Sequence, residues 1–152
     1  MRTPANIAKH PIHPMLVPIP IGLWIFSLFC DLMQAWGSTD PAWPTVALYT
    51  MGGGIVGALA AAVPGLIDLL SLPEGPRKTA LAHMTINLTV VALYVINFWM
   101  RINPPATSMT LWLSIISIGL LVISGWLGGK MVYVHGIAVD AAPDGSTPGR
   151  RP

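Results

Sequence analysis

The sequence predicts an all-α integral membrane protein built as a four-helix bundle. Hydrophobic residues make up 53% of its 152 residues and charged residues only 9%, whereas roughly a quarter of the residues in a soluble domain are charged. Four apolar stretches are each long enough to cross about 30 Å of hydrocarbon. The links between them are short and rich in Gly, Pro and polar residues, so neighbouring helices are expected to be antiparallel.

The apolar stretches divide the chain into three parts. The four predicted spans cover approximately residues 15–36, 46–70, 80–100 and 110–132. They form a transmembrane domain over residues 15–139, preceded by an N-terminal His-Pro segment, residues 1–14, and followed by a tail, residues 140–152. The tail is rich in Pro, Gly and polar residues, a composition typical of flexible segments.

The distribution of Lys and Arg predicts the orientation in the membrane. With four spans, the N-terminus, the second link and the C-terminus share one side, which holds Arg2, Lys9, Arg77, Lys78, Lys130, Arg150 and Arg151. The other side holds only Arg101. The positive-inside rule therefore places both termini in the cytoplasm, in a bacterial inner membrane. No basic patch with interleaved aromatic residues indicates a nucleic acid, so the expected surroundings are lipid and other membrane proteins.

Each predicted span carries polar or small residues on one face, which in lipid is expected to face the bundle interior. The third span shows the pattern most clearly, at steps of four, seven, three and four residues: His83, Asn87, Tyr94, Asn97 and Arg101. The first span has a similar face with His13, Pro20, Trp24, Ser27, Asp31 and Gln34. On the remaining spans the corresponding residues are Thr50, Gly54, Gly57, Ala61, Asp68, Ser114, Ser117, Ser124, Gly128 and His135.

Several of these residues are predicted to have structural roles. Asp31 and Arg101 lie at similar depth near the outer end, and an unpaired charge in the membrane is costly, so we expect them to form an ion pair. We expect the small residues Gly53, Gly57 and Gly128 to allow close approach of helix backbones. Asn87, four residues after a histidine, is also assigned a structural role.

Four titratable residues are predicted to share one level at the cytoplasmic end of the bundle: His13, Asp68, His83 and His135. Two histidines from different helices could be axial ligands of a b-type haem. The set could instead hold zinc, copper or iron, with Asp68 as a ligand or as the acceptor that orients a histidine. It could also relay protons, or the histidines could simply be solvated at the interface. His10 is expected to be a second-shell partner or solvated.

The sequence lacks the common catalytic motifs. It has no Gly-x-Ser-x-Gly elbow, phosphate loop, His-Glu-x-x-His helix or Cys-x-x-Cys pair. We therefore expect no independent enzymatic activity.

Four segments taken together resemble a bacterial four-span membrane family catalogued as domain of unknown function 2231. They are the run from His10 to Trp24, Gly65-Leu-Ile-Asp68, His83-x-x-x-Asn87, and the run from Gly125 to Gly136. Some members of that family are fused to Rieske iron–sulfur domains, so the resemblance implies a connection with electron transfer. This chain carries no such domain, and it has Pro18 where many relatives have histidine.

These observations lead to one hypothesis and one alternative. The hypothesis is a small membrane protein that binds haem b or a transition metal ion through the His/Asp cluster and serves a redox process, together with redox proteins or other membrane subunits. The alternative is a non-catalytic accessory or assembly subunit of a larger respiratory or photosynthetic membrane complex. A proton or solute carrier is less favoured, because four short spans enclose little cavity and show no internal repeat.

Overall fold

The computed structural model describes residues 3–103 and 108–139. The elements are β1 (Asn6–Ile7), β2 (His10–Pro11), α1 (Ile12–Leu16), α2 (Pro18–Ala35), α3 (Ala42–Leu70), α4 (Glu74–Ile102) and α5 (Ser108–Tyr133). β1 and β2 form a small antiparallel hairpin before α1. The predicted tail, residues 140–152, lies outside the described residues.

Four helical segments are long and apolar enough to cross a membrane: Ile12–Ala35, which joins α1 and α2, Ala42–Leu70, Glu74–Ile102 and Ser108–Tyr133. Their most apolar windows have mean hydropathies of 1.7 to 2.0. The long helices pack together, which confirms the predicted all-α helical bundle.

The helices begin earlier than the apolar stretches alone suggest. α4 begins at Glu74, directly after Pro73, and includes Pro76 in its first turn. Proline is tolerated there because the first backbone N–H groups of a helix have no helical acceptor. The same reasoning applies to Pro14 in the first turn of α1 and Pro18 at the start of α2. Prolines from the predicted links and from the predicted N-terminal segment therefore lie in the first turns of helices.

Neighbouring helices are antiparallel, and equal numbers of residues separate two side-chain-to-carbonyl contacts on the two helices of each pair. The Ser27 hydroxyl donates to the Ala47 carbonyl. His13, fourteen residues before Ser27, contacts the carbonyl of Ala61, fourteen residues after Ala47. On the other pair of helices, Asn97 donates to the Thr110 carbonyl, and His83 contacts the carbonyl of Ser124. α2 thus packs along α3 and α4 along α5, and fewer contacts join the two pairs.

The first membrane-spanning segment, formed by α1 and α2, meets the diagonal helix α4 across the centre of the bundle at three levels. The contacting residues are always 70 positions apart: His13 with His83, Trp24 with Tyr94, and Asp31 with Arg101. A constant offset means that these two helices are parallel. Each level has a distinct chemistry, namely an imidazole pair, an aromatic stack and an ion pair.

The middle level is the apolar centre of the bundle. The rings of Trp24 and Tyr94 are stacked with centroids 4.3 Å apart, and both residues are buried beside Met51 and Val90. The Trp24 indole donates to the Met51 carbonyl at 3.2 Å. A Cβ atom on Gly54 would lie 2.3 Å from the indole nitrogen, so only glycine fits at this position.

The glycines that were predicted to serve close packing lie against α2 or α4. A Cβ on Gly53 would lie 3.3 Å from Leu23, and one on Gly57 would lie 3.2 Å from Ile19, both on α2. Gly128 lies beside the His83 ring on α4. Gly57 and Gly128 are half-buried, whereas Gly53 is exposed.

Replacing Gly54 by alanine is expected to destabilise the bundle by about 1–3 kcal/mol, because the new methyl group overlaps the Trp24 indole. The measurement is unfolding of the purified protein in mixed detergent micelles. Gly22→Ala on α2 is the matched control, since a Cβ there meets nothing within 4 Å. Alanine is the better helix former, so the control should be neutral or stabilising. Equal stability of the two variants would show that the Trp24 contact does not constrain the backbone.

Candidate functional site

His13 is held by the helix that packs against it. Its Nδ1 lies 2.8 Å from the Ala61 carbonyl oxygen on α3. Because a carbonyl only accepts hydrogen bonds, Nδ1 carries a proton, and in the neutral form of the ring the lone pair is on Nε2. Pro64 lies in the next turn of α3 and lacks an N–H, which loosens the helix where the ring approaches. A Cβ on Gly65 would lie 2.8 Å from Nδ1, so the glycine makes room for the ring.

His83 is held in the same manner by α5. Its Nδ1 lies 2.9 Å from both the carbonyl oxygen and the hydroxyl of Ser124. The Asn87 amide nitrogen donates to the His83 carbonyl at 2.9 Å and lies 3.0 Å from Nε2. An amide NH₂ can only donate, so this network assigns the proton to Nδ1 and the lone pair to Nε2.

The two imidazoles face each other between the two helical pairs. Their ring centroids are 6.3 Å apart and the planes are perpendicular. Each ring directs its Nδ1–H to a backbone carbonyl of the helix beside it, and the Nε2 lone pair of His83 accepts a hydrogen bond from Asn87. Histidines that bind metals commonly donate their other ring N–H to a carbonyl in this way, which fixes the tautomer and raises the basicity of the ligating nitrogen.

The separation of the rings agrees with one shared metal atom. A metal lies about 2.0 Å from an imidazole nitrogen, so two rings on one metal have centres about 6 Å apart. A site with only protein ligands needs further donors. Among residues 3–103 and 108–139, no group of three or more His, Cys, Asp or Glu side chains could hold a metal ion.

Asp68 is satisfied by the N-terminal segment rather than by a histidine. Its Oδ1 accepts a hydrogen bond from the backbone N–H of Ala5 at 2.9 Å, and both residues are buried. The β1–β2 hairpin turns at Ala8 and Lys9, whose φ angles are 49° and 69°. Asp68 thus fastens the hairpin to the end of the bundle, a role that the sequence analysis did not assign to it.

The other two histidines are separate from the pair. His135 follows α5, and its Nε2 is buried with no hydrogen-bond partner in the described part of the chain. His10 lies in β2 and is exposed, and its Nδ1 lies 2.9 Å from the Ala8 carbonyl oxygen. The structure therefore joins His13 to His83 and does not assemble the four-residue metal site that equal depth had suggested, because residues at one depth can lie on different sides of a bundle.

The opposite end of the bundle contains a buried ion pair. Arg101 donates from Nη1 and Nη2 to the two carboxylate oxygens of Asp31, both at 2.7 Å, and from Nε to Asn97 Oδ1 at 2.9 Å. The Ser114 hydroxyl donates to Asp31 at 3.1 Å. Asn97 and Ser114 had been placed on the interior faces, but their joint role in this network was not predicted.

A family model described as predicted membrane protein (DUF2231) matches residues 9–141. The chain belongs to this family. The DUF2231 match includes both paired histidines, Asp68 and the ion pair, and it confirms the resemblance seen in the sequence. Neither the curated proteins nor the solved structures contain a match to the chain. The family description supplies a membrane location and no activity.

Replacing Asp31 by asparagine is expected to destabilise the protein by about 3 kcal/mol, because it leaves the Arg101 guanidinium buried without its counter-charge. Unfolding in mixed micelles measures the change. The control is Asp40→Asn at an exposed position in the link between α2 and α3, where a change below about 0.5 kcal/mol is expected. If the two variants were equally stable, the ion pair would not hold the bundle together.

Proposed function

We propose that this DUF2231 protein binds a b-type haem between His13 and His83 and serves electron transfer in the bacterial cytoplasmic membrane. One observation carries the proposal. The two imidazoles face each other, each with Nδ1–H donated to a carbonyl of the adjacent helix and with a lone pair on Nε2. Bound haem would supply one-electron exchange, and the protein would supply the ligands and their orientation.

Haem is favoured over a bare metal ion by the number of protein donors. The porphyrin contributes four nitrogens, so two axial imidazoles complete the coordination of its iron. A tetrahedral zinc site would need more protein ligands than these two. Asn87 donates to His83 Nε2 in this structure and would have to release it, while its second bond to the His83 carbonyl could remain.

The small size of the residues beside the His13 and His83 rings supports the proposal of a bound planar group. The residues next to them are small: Ala61 and Gly65 beside His13, and Ser124 and Gly128 beside His83. The pair lies between two helical hairpins that contact each other less than the helices within each hairpin do. A ligand at this position would join the two hairpins.

The proposed orientation places the histidine pair at the cytoplasmic end. Seven of the eight Lys and Arg residues fall on the side of the two termini, which the positive-inside rule assigns to the cytoplasm. Exposed aromatic residues lie near both ends of the bundle, as in the interfacial belts of membrane proteins. They are Trp36, Trp99 and Trp112 near one end and Trp126 and Tyr133 near the other.

An absorption spectrum of the protein purified in mild detergent, oxidised and then reduced with dithionite, tests the proposal. We expect a Soret band and sharp bands in the reduced sample, and we expect both to disappear in His13→Ala and in His83→Ala. The matched controls, His10→Ala and His135→Ala, should keep the spectrum, since neither ring contacts the pair. Circular dichroism and gel filtration establish that each variant remains folded.

Two outcomes would overturn the haem assignment. A colourless protein from cells supplied with haem would exclude it, and stoichiometric zinc, copper or iron in elemental analysis of that sample would point to a metal ion instead. Equal loss of haem in His10→Ala and His83→Ala would show that the spectrum does not report on the pair.

A second candidate function, an accessory subunit of a larger membrane complex, is favoured by one face of α5. Gly125 and Gly129 are four residues apart, and a Cβ on either would meet nothing within 4 Å. Small residues with this spacing allow close approach of a further transmembrane helix. By contrast, Gly53 and Gly57 already pack against α2, so they serve the fold of this chain.

Replacing Gly125 by leucine tests the accessory role, because a Cβ at this position meets nothing within 4 Å and a larger side chain would block the approach of a helix from another subunit. Native gel electrophoresis of membranes dissolved in mild detergent should show a smaller complex than the wild type, with the haem spectrum and thermal stability unchanged. Ile123→Phe, at an exposed position two residues earlier and therefore on a different face of α5, is the control and should leave the complex intact. An unchanged complex in Gly125→Leu would rule out this face as the contact.

A further inference from the structure

Two hydroxyl groups in the membrane interior have no hydrogen-bond partner among the described residues. They belong to Tyr94 on α4 and Ser117 on α5, and both residues are 0% exposed. A serine in a transmembrane helix commonly donates to a carbonyl one turn earlier, but Ser117 does not. Polar groups buried in this way are normally satisfied by protein or by an internal water molecule.

Both residues lie about one helical turn farther from the Arg101 end than the residues of the ion-pair network. Tyr94 is three residues before Asn97, and Ser117 is three residues after Ser114. α4 and α5 are antiparallel, so three residues back along α4 and three residues forward along α5 both lead away from the Arg101 end of the bundle. The two side chains therefore continue the polar interior face of their helices beneath the ion pair.

A cavity opens at the ion pair itself. Its volume is about 550 Å³, and its lining includes Asp31, Arg101, Gln34 and Thr45, which come from three different helices. A water molecule occupies about 30 Å³ of liquid volume, so this space is large enough for several. Arg101 uses three of its five N–H groups on Asp31 and Asn97, and the other two have no partner among the described residues.

The series of polar side chains that leads inward from the ion pair ends at the level of the stacked Trp24 and Tyr94 rings. Trp24, Met51 and Val90 are buried together with the Tyr94 ring and form the apolar centre of the bundle. The Trp24 indole is already satisfied by the Met51 carbonyl. Trp24, Met51 and Val90 have no unpartnered side-chain nitrogen or oxygen that could bind water. A path for water would therefore stop at the level of these residues.

We propose that the Arg101 end of the bundle contains a water-filled inlet that runs from the cavity past Asp31 and Arg101 and ends at Ser117 and Tyr94. Its ligands are water and protons, and the apolar centre separates them from the histidine pair. The inlet hydrates the buried ion pair and brings a phenol in the membrane interior into contact with the solution on that side. This proposal does not rest on a bound haem.

Cysteine accessibility tests the inlet. Ser117→Cys is made in a Cys30→Ser background, which removes the single native cysteine. Silver ion, a small thiol reagent that does not cross the bilayer, is added to one side of sealed vesicles, and the thiols left unreacted are alkylated after denaturation and counted by mass spectrometry. Asp40→Cys, exposed in the α2–α3 link, identifies the side, and Val90→Cys is the buried control.

We expect Ser117→Cys to react about tenfold faster than Val90→Cys when silver is added on the side that labels Asp40→Cys, because thiol reactivity follows access to solvent. Equal rates for the two buried cysteines, or reaction of Ser117→Cys only from the opposite side, would overturn the proposal.

A measurement on the wild-type protein makes the test independent of any substitution. Hydroxyl radicals produced by X-ray radiolysis of water oxidise side chains next to bound water. We expect oxidation of Tyr94 well above that of Trp24, which is equally enclosed by protein and stacks on the same ring. An unmodified Tyr94 at doses that fully oxidise the exposed Tyr133 would contradict the inlet.

Discussion

The ion pair between Asp31 and Arg101 sets the register on which the rest of the bundle depends. Separated in lipid, each charge would be costly, and the guanidinium fork meets both carboxylate oxygens in only one arrangement. The offset of 70 residues that this contact imposes on α2 and α4 recurs at the two other levels. It stacks Trp24 on Tyr94 and brings His13 opposite His83.

α3 and α5 satisfy the polar side chains that α1, α2 and α4 present. On α3, backbone carbonyls accept from Ser27, Trp24 and His13. On α5, carbonyls accept from Asn97 and His83. A helical carbonyl has a second lone pair, so it can accept such a bond while it remains part of its own helix. This pattern pairs these five interior side chains, whereas the Tyr94 and Ser117 hydroxyls have no partner among the described residues.

The aromatic level divides the bundle into two chemically different halves. Toward the termini, two imidazoles are oriented by carbonyls, and Asp68 fastens the N-terminal hairpin over that end. Toward the opposite end, charged and hydroxyl groups surround an open cavity. Both halves use the same parallel alignment of α2 and α4, so a shift of that register would disturb the histidine pair and the ion pair together.

The sequence by itself determined the four spans and the interior face of each helix, because a bilayer demands about 20 apolar residues per crossing and leaves polar side chains few places to go. Depth along a helix also follows from residue number. The position of a side chain around the bundle axis does not follow from residue number. Equal depth therefore could not show that His83 meets His13 while His135 and Asp68 have other surroundings. Tertiary structure decided those partners. The hairpin that reaches Asp68 from Ala5, 63 residues away, depends on how the chain folds back over the end of the bundle.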